Sequence, residues 1–408
     1  MAINLKVPGE NEIFPINGIE IGIAEAGIKK INKKDLTIFK ISENTTVSGS
    51  FTRNLFKAAP VQVSEENLNL SLPRIRALVI NTGNANAGTG KTGIEAARNT
   101  CEALGKLLNI NPEQILPFST GVIMEPLPIE KLIKALPNAI RNLGNSSWQD
   151  AAYSIMTTDT TPKIFSEKFI IGNKNVTVTG ISKGAGMICP NMATMLAFIG
   201  TDIKIEQSLL NRMIKEITDS SFNRITVDGD TSTNDSFVIM ATGTSDLAIT
   251  SENDKHYQEV LLALKKASLD LSQKIIRDAE GATKFITIDI VQANNTEEAL
   301  KVAYSIAHSP LVKTAFYASD PNIGRILAAI GYSKAKIKIE DLYIWLNEVL
   351  IVKNGAINPD YKEEDGKNVL QQTEIRIKVF IGTGNINETI YTCDLSHEYV
   401  TINAEYRS

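Results

Sequence analysis

The chain has 408 residues, of which 43% are hydrophobic and 22% charged, and its formal net charge is −4. That length suits two domains, or one large sandwich with a smaller lobe, and the composition is that of a globular protein. The slightly acidic balance excludes the basic stripe of a nucleic-acid binder, no apolar run reaches the length of a membrane span, and the first residues lack the regions of a signal peptide.

Three distant cysteines, Cys101, Cys189 and Cys393, give neither a disulfide framework nor a zinc site. A cytoplasmic protein with no metal is therefore expected. The three histidines, His256, His308 and His397, fall in segments that read as helix, helix and a loop before a late strand. They give no support to a Ser-His-Asp or Cys-His enzyme.

In chain order, Gly18–Ala24 alternates as a half-buried strand should. Ala77–Ile80 is a short apolar strand followed by a polar loop, Asn81-Thr82-Gly83-Asn84-Ala85-Asn86-Ala87-Gly88, and then a helix over about 94–108. Gly88–Gly93 satisfies the dinucleotide pattern without the short turn that pattern needs. Gly90-Lys91-Thr92 fails as a phosphate loop because its first glycine would fall on Ala85. Leu116–Phe118 enters Ser119-Thr120-Gly121, which reads either as a turn or as a hydroxyl and an unhindered N–H paired in an oxyanion hole. A helix near 130–143 follows, and then Met156-Thr157-Thr158-Asp159-Thr160-Thr161, a polar patch that caps an element or binds a polar substrate.

The glycine-rich turn Lys183-Gly184-Ala185-Gly186 leads through Pro190 to Ala193-Thr194 at the mouth of an apolar strand. Thr194 reads as a β-branched strand starter or as a hydroxyl nucleophile that frees its own α-amino group as base. An amphipathic helix covers about 206–221. The acidic loop Asp228–Ser236 fails the calcium-loop template, with Thr233 at position 6 and Ile239 at position 12, and reads as a turn before the strand Phe237–Met240. A helix over about 254–276 ends at Glu280, whose default reading is a solvated turn residue. A strand over 285–291, helices near 296–308 and 310–317, a turn into a helix at 320–331, and two late strands complete an α+β pattern with mainly antiparallel sheets packed between helices.

The segment Lys183–Leu196 resembles the self-cleavage motif of the glutamate N-acetyltransferase/ornithine acetyltransferase family. Asn81–Ala87, Ser119–Ile123, Met156–Asp159, Asp228–Asp235, Glu280–Lys284, Asp320–Asn322 and Asn403–Tyr406 match it in order, so the resemblance spans essentially the whole chain. It implies a layered α/β sandwich reminiscent of N-terminal-nucleophile hydrolases with different connectivity. It also implies self-cleavage between Ala193 and Thr194 into an α chain, 1–193, and a β chain, 194–408, assembled as two α and two β. The main sandwich would draw on both chains, with a smaller lobe within about 240–345.

The implied reaction carries acetyl from N2-acetylornithine to L-glutamate on Thr194, with Thr120 and Gly121 as the oxyanion hole. Thr157, Lys183, Thr194, Glu280, Asn403 and Ser408 would contact substrate. No cofactor is implied, although some members accept acetyl-CoA as donor. Cys189 and Ile323 depart from the histidine and tryptophan of many relatives. An amidohydrolase or aminopeptidase on the same scaffold, and a non-catalytic amino-acid binder, are the alternatives.

Overall fold

A computed structural model of the chain describes residues 2–71, 75–189 and 195–405. The chain divides into two compact units: Lys6–Asn223 with Asp230–Ile275, and Met1–Leu5 with Arg224–Gly229 and Ile276–Ser408.

The larger unit contains strands β1 (Ile19–Ala24), β2 (Leu36–Ile41), β3 (Thr46–Phe51), β4 (Ala77–Asn84), β5 (Ile115–Val122), β6 (Lys163–Ile171), β7 (Lys174–Lys183), β8 (Leu196–Thr201), β9 (Lys204–Ile205), β10 (Ser236–Ala241) and β11 (Ala248–Ile249). Two sheets carry its core. One has the order β1-β2-β4-β5, antiparallel except for the β4–β5 pair. The other has the order β3-β10-β8-β7-β6, antiparallel except for β10–β8. Phe39, Leu78 and Phe118 from the first sheet meet Ile181, Phe198 and Val238 from the second in one buried cluster. The rings of Phe118 and Phe198 pack edge to face at 5.1 Å. Interlocked apolar faces of this kind are what a two-sheet sandwich requires.

Helices α1 (Ala59–Ser71), α2 (Gly90–Leu108) and α3 (Ile129–Arg141) cover the outer face of the first sheet. Helix α4 (Trp148–Ser154) adds Trp148 and Ala151 to the inter-sheet cluster. Helix α5 (Gln207–Asp219) packs on β3, burying Leu209, Leu210, Met213, Ile214 and Ile217 as their spacing predicts. Leu271 of α6 (Tyr257–Arg277) lies against β7 and accepts a hydrogen bond from Ser182 at 3.2 Å. The result is a layered α/β sandwich, as expected.

The smaller unit holds β12 (Phe285–Ala293), α7 (Thr296–Ala307), α8 (Pro310–Tyr317), α9 (Ile323–Gly331), β13 (Tyr343–Leu346), β14 (Val349–Lys353), β15 (Ala356–Ile357), α10 (Glu363–Leu370), β16 (Glu374–Phe380), β17 (Ile386–Cys393) and α11 (His397–Ala404). Its sheet has the order β15-β14-β13-β16-β12-β17, with β12 and β16 parallel. Ile288, Ile377 and Val379 meet α7 and α9 in its core.

Four local expectations change. Strand β4 continues through Asn81–Asn84, which read as a loop, because neighbouring groups satisfy its side-chain amides: Asn81 donates to the Asn84 carbonyl at 2.9 Å and accepts from Ser119 Oγ at 2.5 Å. Helix α2 begins at Gly90, so the glycine-rich decoy is its first turn. His397 opens a helix after the last strand, where Ser396 caps the Tyr399 N–H. Glu280 is 7% exposed and not solvated.

Candidate active site

In the larger unit, three expected site residues share one polar cluster at the ends of adjacent elements. Thr120 and Gly121 lie inside β5, near its end, and Lys183 is the last residue of β7. Lys183 Nζ donates to Thr120 Oγ1 at 3.2 Å, and both residues are buried. Gly121 has φ +134° and faces Gly83 of the parallel strand; a Cβ there would stand 2.2 Å from the Gly83 carbonyl carbon. Only glycine fits, because both the left-handed conformation and the close backbone approach exclude a side chain. The register slips at this point, Asn84 pairing with both Thr120 and Val122.

Asparagines fix the strand ends. Asn234 Nδ2 donates to the carbonyls of Ser119 at 2.9 Å and Ala85 at 2.7 Å, and Asn84 Oδ1 accepts from the Asn86 N–H at 2.8 Å. Thr82 Oγ1 donates to the Ser154 carbonyl. Buried polar groups tied this thoroughly hold a single arrangement.

Thr157 is half-buried and reaches the cluster through Asp159. One oxygen of the Asp159 carboxylate accepts from the Gly184 N–H at 2.7 Å and from Lys163 Nζ at 2.6 Å, and the other accepts from the Thr157 N–H at 3.0 Å. The Asp159 and Lys163 side chains are wholly buried. Burial would push the Asp159 carboxyl up, but the positive charges of Lys163 and Lys183 and the Gly184 N–H hold it well below the usual carboxylate range. Lys163 gave no signal in the sequence.

Asp235 is also fully buried. Its Oδ1 accepts from the Met195 N–H at 2.9 Å, and its Oδ2 has no hydrogen-bond partner among the described residues. Burial pushes this carboxyl well above the ordinary range; the Met195 N–H and the Lys183 charge offset that only in part. It lies in the acidic loop that fails the calcium-loop template, and no sequence signal separated it from its neighbours. Among the described residues no group of three or more His, Cys, Asp or Glu side chains could hold a metal. The histidines bond elsewhere, His256 to Glu259, His308 to Thr226 and His397 to Tyr317. In the glycine-rich segment, Asn86 accepts from Thr89 Oγ1 and donates to the Gly93 carbonyl, so the turn is braced by its own side chains.

In the smaller unit, Glu280 and Asn403 come together: Asn403 Nδ2 donates to Glu280 Oε2 at 2.8 Å and to the Tyr399 carbonyl at 3.0 Å. Ser396 Oγ donates to the Gly281 carbonyl at 2.6 Å, and Tyr399 OH donates to Asp228 Oδ2 at 3.0 Å. Asp394 Oδ1 accepts from the consecutive N–H groups of Thr283 and Lys284 at 2.8 and 2.9 Å. Helix α11 is thus laced to the turn that carries Glu280. Sequence reasoning missed this helix, although Ser396 offered an N-cap signal. Ala193, Thr194 and Ser408 lie outside the described residues. No described helix is long and apolar enough to cross a membrane.

The ArgJ family model matches residues 20–408. The arginine biosynthesis bifunctional protein ArgJ of Colwellia psychrerythraea is 49% identical over the full length of both chains. Among solved structures, the protein of the same name from Bacillus halodurans is 40% identical, covering 51% of this chain and 97% of that one with a TM-score of 0.48. The ornithine acetyltransferase of Mycobacterium tuberculosis, solved with ornithine, is 29% identical, covering 43% of this chain and 92% of that one with a TM-score of 0.38. The family match spans nearly all of the chain, including every motif that carried the resemblance: the chain belongs to the ArgJ family.

Proposed function

We propose that this ArgJ-family chain, an acyltransferase of arginine biosynthesis, moves the acetyl group of N2-acetylornithine to L-glutamate through an acetyl ester on Thr194. Maturation is self-cleavage: the Thr194 hydroxyl attacks the Ala193 carbonyl, and water hydrolyses the resulting ester. The α-amino group released has an ordinary pKa of roughly 7.7–8.0, which suits a general base near neutral pH. The mature hydroxyl attacks the acetyl carbonyl, ornithine leaves as its amine, and the glutamate amine then takes the acetyl group. Two half-reactions that share one covalent intermediate give ping-pong kinetics. The α and β chains form a tetramer of two each. No cofactor is needed, and acetyl-CoA is a second acetyl donor to test.

The observation that carries this reading is the Lys183–Thr120 hydrogen bond beside Gly121. An ammonium that donates to Oγ1 polarises the hydroxyl and directs its proton away, which makes it a stronger donor to a developing oxyanion. Lys183 is a cation, so its charge would also draw a substrate carboxylate to this cluster. Glu280, oriented by Asn403, supplies the complementary anion for a substrate amine.

A denaturing gel with intact mass, run beside Thr194→Ala, tests the first half. Two fragments, the second beginning at Thr194, with an uncut variant, support it; one full-length band in both samples overturns it. Acetyl transfer from N2-acetylornithine that depends on glutamate supports the second half. Glutamate-independent release of acetate would make the protein an amidohydrolase.

A further inference from the structure

The loop that joins β1 to β2, closed by the Ala24–Leu36 pair, carries four lysines, Lys29, Lys30, Lys33 and Lys34. Sheet register sets where it lies. Leu36 at the start of β2 pairs with Asn81 of β4, and Gly83 of β4 pairs with Gly121 of β5, so the loop stands at the sheet end that carries Thr120 and Gly121. Asp35 clasps it: its two carboxylate oxygens accept from the N–H groups of Ala26 and Ile28 at 2.6 and 2.7 Å, and its carbonyl accepts from the Thr82 N–H at 2.9 Å. A Cβ on Gly83 would stand 3.1 Å from Lys29 Cβ, so the loop packs directly on that strand end.

Lys33 differs from its neighbours. It is half-buried, whereas Lys29, Lys30 and Lys34 are exposed. Its Nζ donates to the Met156 carbonyl at 2.7 Å, one residue before Thr157, and it forms no ion pair among the described residues. Lys34 is paired with Asp150 at 3.3 Å. The Asp159 carboxylate, whose charge reaches Lys33, is already bonded to Thr157, Lys163 and Gly184. Burial and the charge of Lys30 hold the Lys33 ammonium below the ordinary lysine value, and Asp159 and Asp35 offset this only in part. An ammonium that has lost water and gained a single carbonyl has N–H donors left for an anion.

We propose that Lys33 is a specificity-determining residue for the reaction proposed above: it receives the side-chain carboxylate of the acetyl acceptor, glutamate. This rests on the transfer reading. Both substrates bring an α-carboxylate and an α-nitrogen, which carries the acetyl group in one and accepts it in the other. They differ at the far end of the side chain, an ammonium in N2-acetylornithine and a carboxylate in glutamate. Lys183 would serve the carboxylate that they share, which leaves the second carboxylate of glutamate in need of a cation. Lys33 is placed for it beside Thr157, an expected substrate contact. The plain alternative is a lysine that caps a carbonyl just after helix α4, a common role at a helix end.

Lys33→Gln separates the two, because its amide can still donate to the Met156 carbonyl while its charge is gone; Lys33→Arg keeps the charge. In ping-pong kinetics, kcat/KM for each substrate reports its own half-reaction. Lys33→Gln is expected to lower kcat/KM for glutamate by about tenfold or more and to leave that for N2-acetylornithine within about twofold. Lys33→Arg should recover most of the loss. Glutamine as acceptor has a neutral amide in place of the side-chain carboxylate, so wild type and Lys33→Gln should use it alike. Wild-type kcat/KM for glutamate in Lys33→Gln overturns the proposal. So does an equal fall for both substrates, which a structural cap would give, or a Lys33→Arg enzyme no better than Lys33→Gln. If neither variant folds by circular dichroism, the wild-type enzyme decides: a clear preference for glutamate over glutamine supports the proposal, and equal use of the two overturns it. A wild-type chain without glutamate-dependent transfer would overturn the transfer reading itself, a result separate from an active enzyme indifferent to Lys33.

Discussion

Lys183 Nζ lies 3.2 Å from Thr120 Oγ1, with both side chains shielded from solvent, so the cation proposed to bind substrate and the hydroxyl proposed to stabilise the oxyanion are bonded to each other. Changes to either should therefore not be independent. Thr120→Val removes the hydroxyl and is expected to lower kcat by about 10²–10³ with little effect on KM. Lys183→Met is expected to raise KM for the carboxylate-bearing substrates and to lower kcat, since Thr120 loses its donor. The double variant should fall short of the summed losses. Steady-state kinetics on the four proteins measures the coupling, and a Lys183→Met enzyme with both KM values unchanged would remove the carboxylate role.

The Asp159–Lys163 pair ties Thr157 to Gly184. Removing one partner strands a buried charge, which typically costs about 3–5 kcal/mol. Asp159→Asn is expected to lose that much in urea unfolding, and Asp159→Leu with Lys163→Met should recover most of it without recovering activity. The carboxyl titrates below its ordinary value, so its contribution is present above an unfolded pKa of about 3.9 and is lost as the pH falls through the lower folded value. The wild-type chain should thus lose more stability than the neutral pair on acidification.

Asp235 has the opposite sign. Its folded pKa is raised, so the folded chain keeps a proton that the unfolded chain releases above about pH 3.9. Stability should decline as the pH rises from there toward the folded value. On an uncut Thr194→Ala background, Asp235→Asn is expected to flatten this decline. Urea midpoints between pH 4 and 7 measure it, and parallel curves for the two proteins would show that the carboxyl is charged when folded.

Asn403 begins the last six residues and orients Glu280 at 2.8 Å. Deleting residues 403–408 is expected to leave the melting temperature nearly unchanged and to abolish most transfer activity. Asn403→Ala alone should raise KM. A fully active shortened enzyme would rule out a role for this end of the chain.

Burial raises the thiols of Cys101 to about 12 and Cys393 to about 11. Ellman's reagent at pH 8 is expected to modify half-buried Cys189 first and to reach the other two only on unfolding. Rapid modification of three thiols in the folded chain would contradict their burial.

The α+β pattern, the helix over 207–219 and the late strands were legible because their apolar residues repeat with the period of the element, whereas the layered sandwich came from the family resemblance. Thr120, Gly121 and Lys183 were found through motif resemblance, and the structure adds the contact that periodicity could not supply. Asp159, Lys163 and Asp235 were not singled out as site residues. Their roles depend on partners brought in by other strands and loops, and a polar residue in a sequence looks the same whether it meets water or a buried lysine. Glu280 was misread as solvated for the same reason. The helix over 397–404 lacks a clean apolar stripe, and no residue in it is classed as buried, so nothing marked it beyond its serine cap.

The central sheet of the larger unit interleaves the two halves of the chain. Strands β3, β7 and β6 precede residue 194, β10 and β8 follow it, and β8 is flanked by β10 on one side and β7 on the other with all six of its residues buried. A break just before β8 would leave the later fragment stitched into the earlier one by a full ladder of backbone hydrogen bonds on either side. The nick would be silent on a gel-filtration column and visible only after denaturation. Fragments made separately would face the assembly of a five-stranded sheet from two partners, so the proposed cut would have to follow folding.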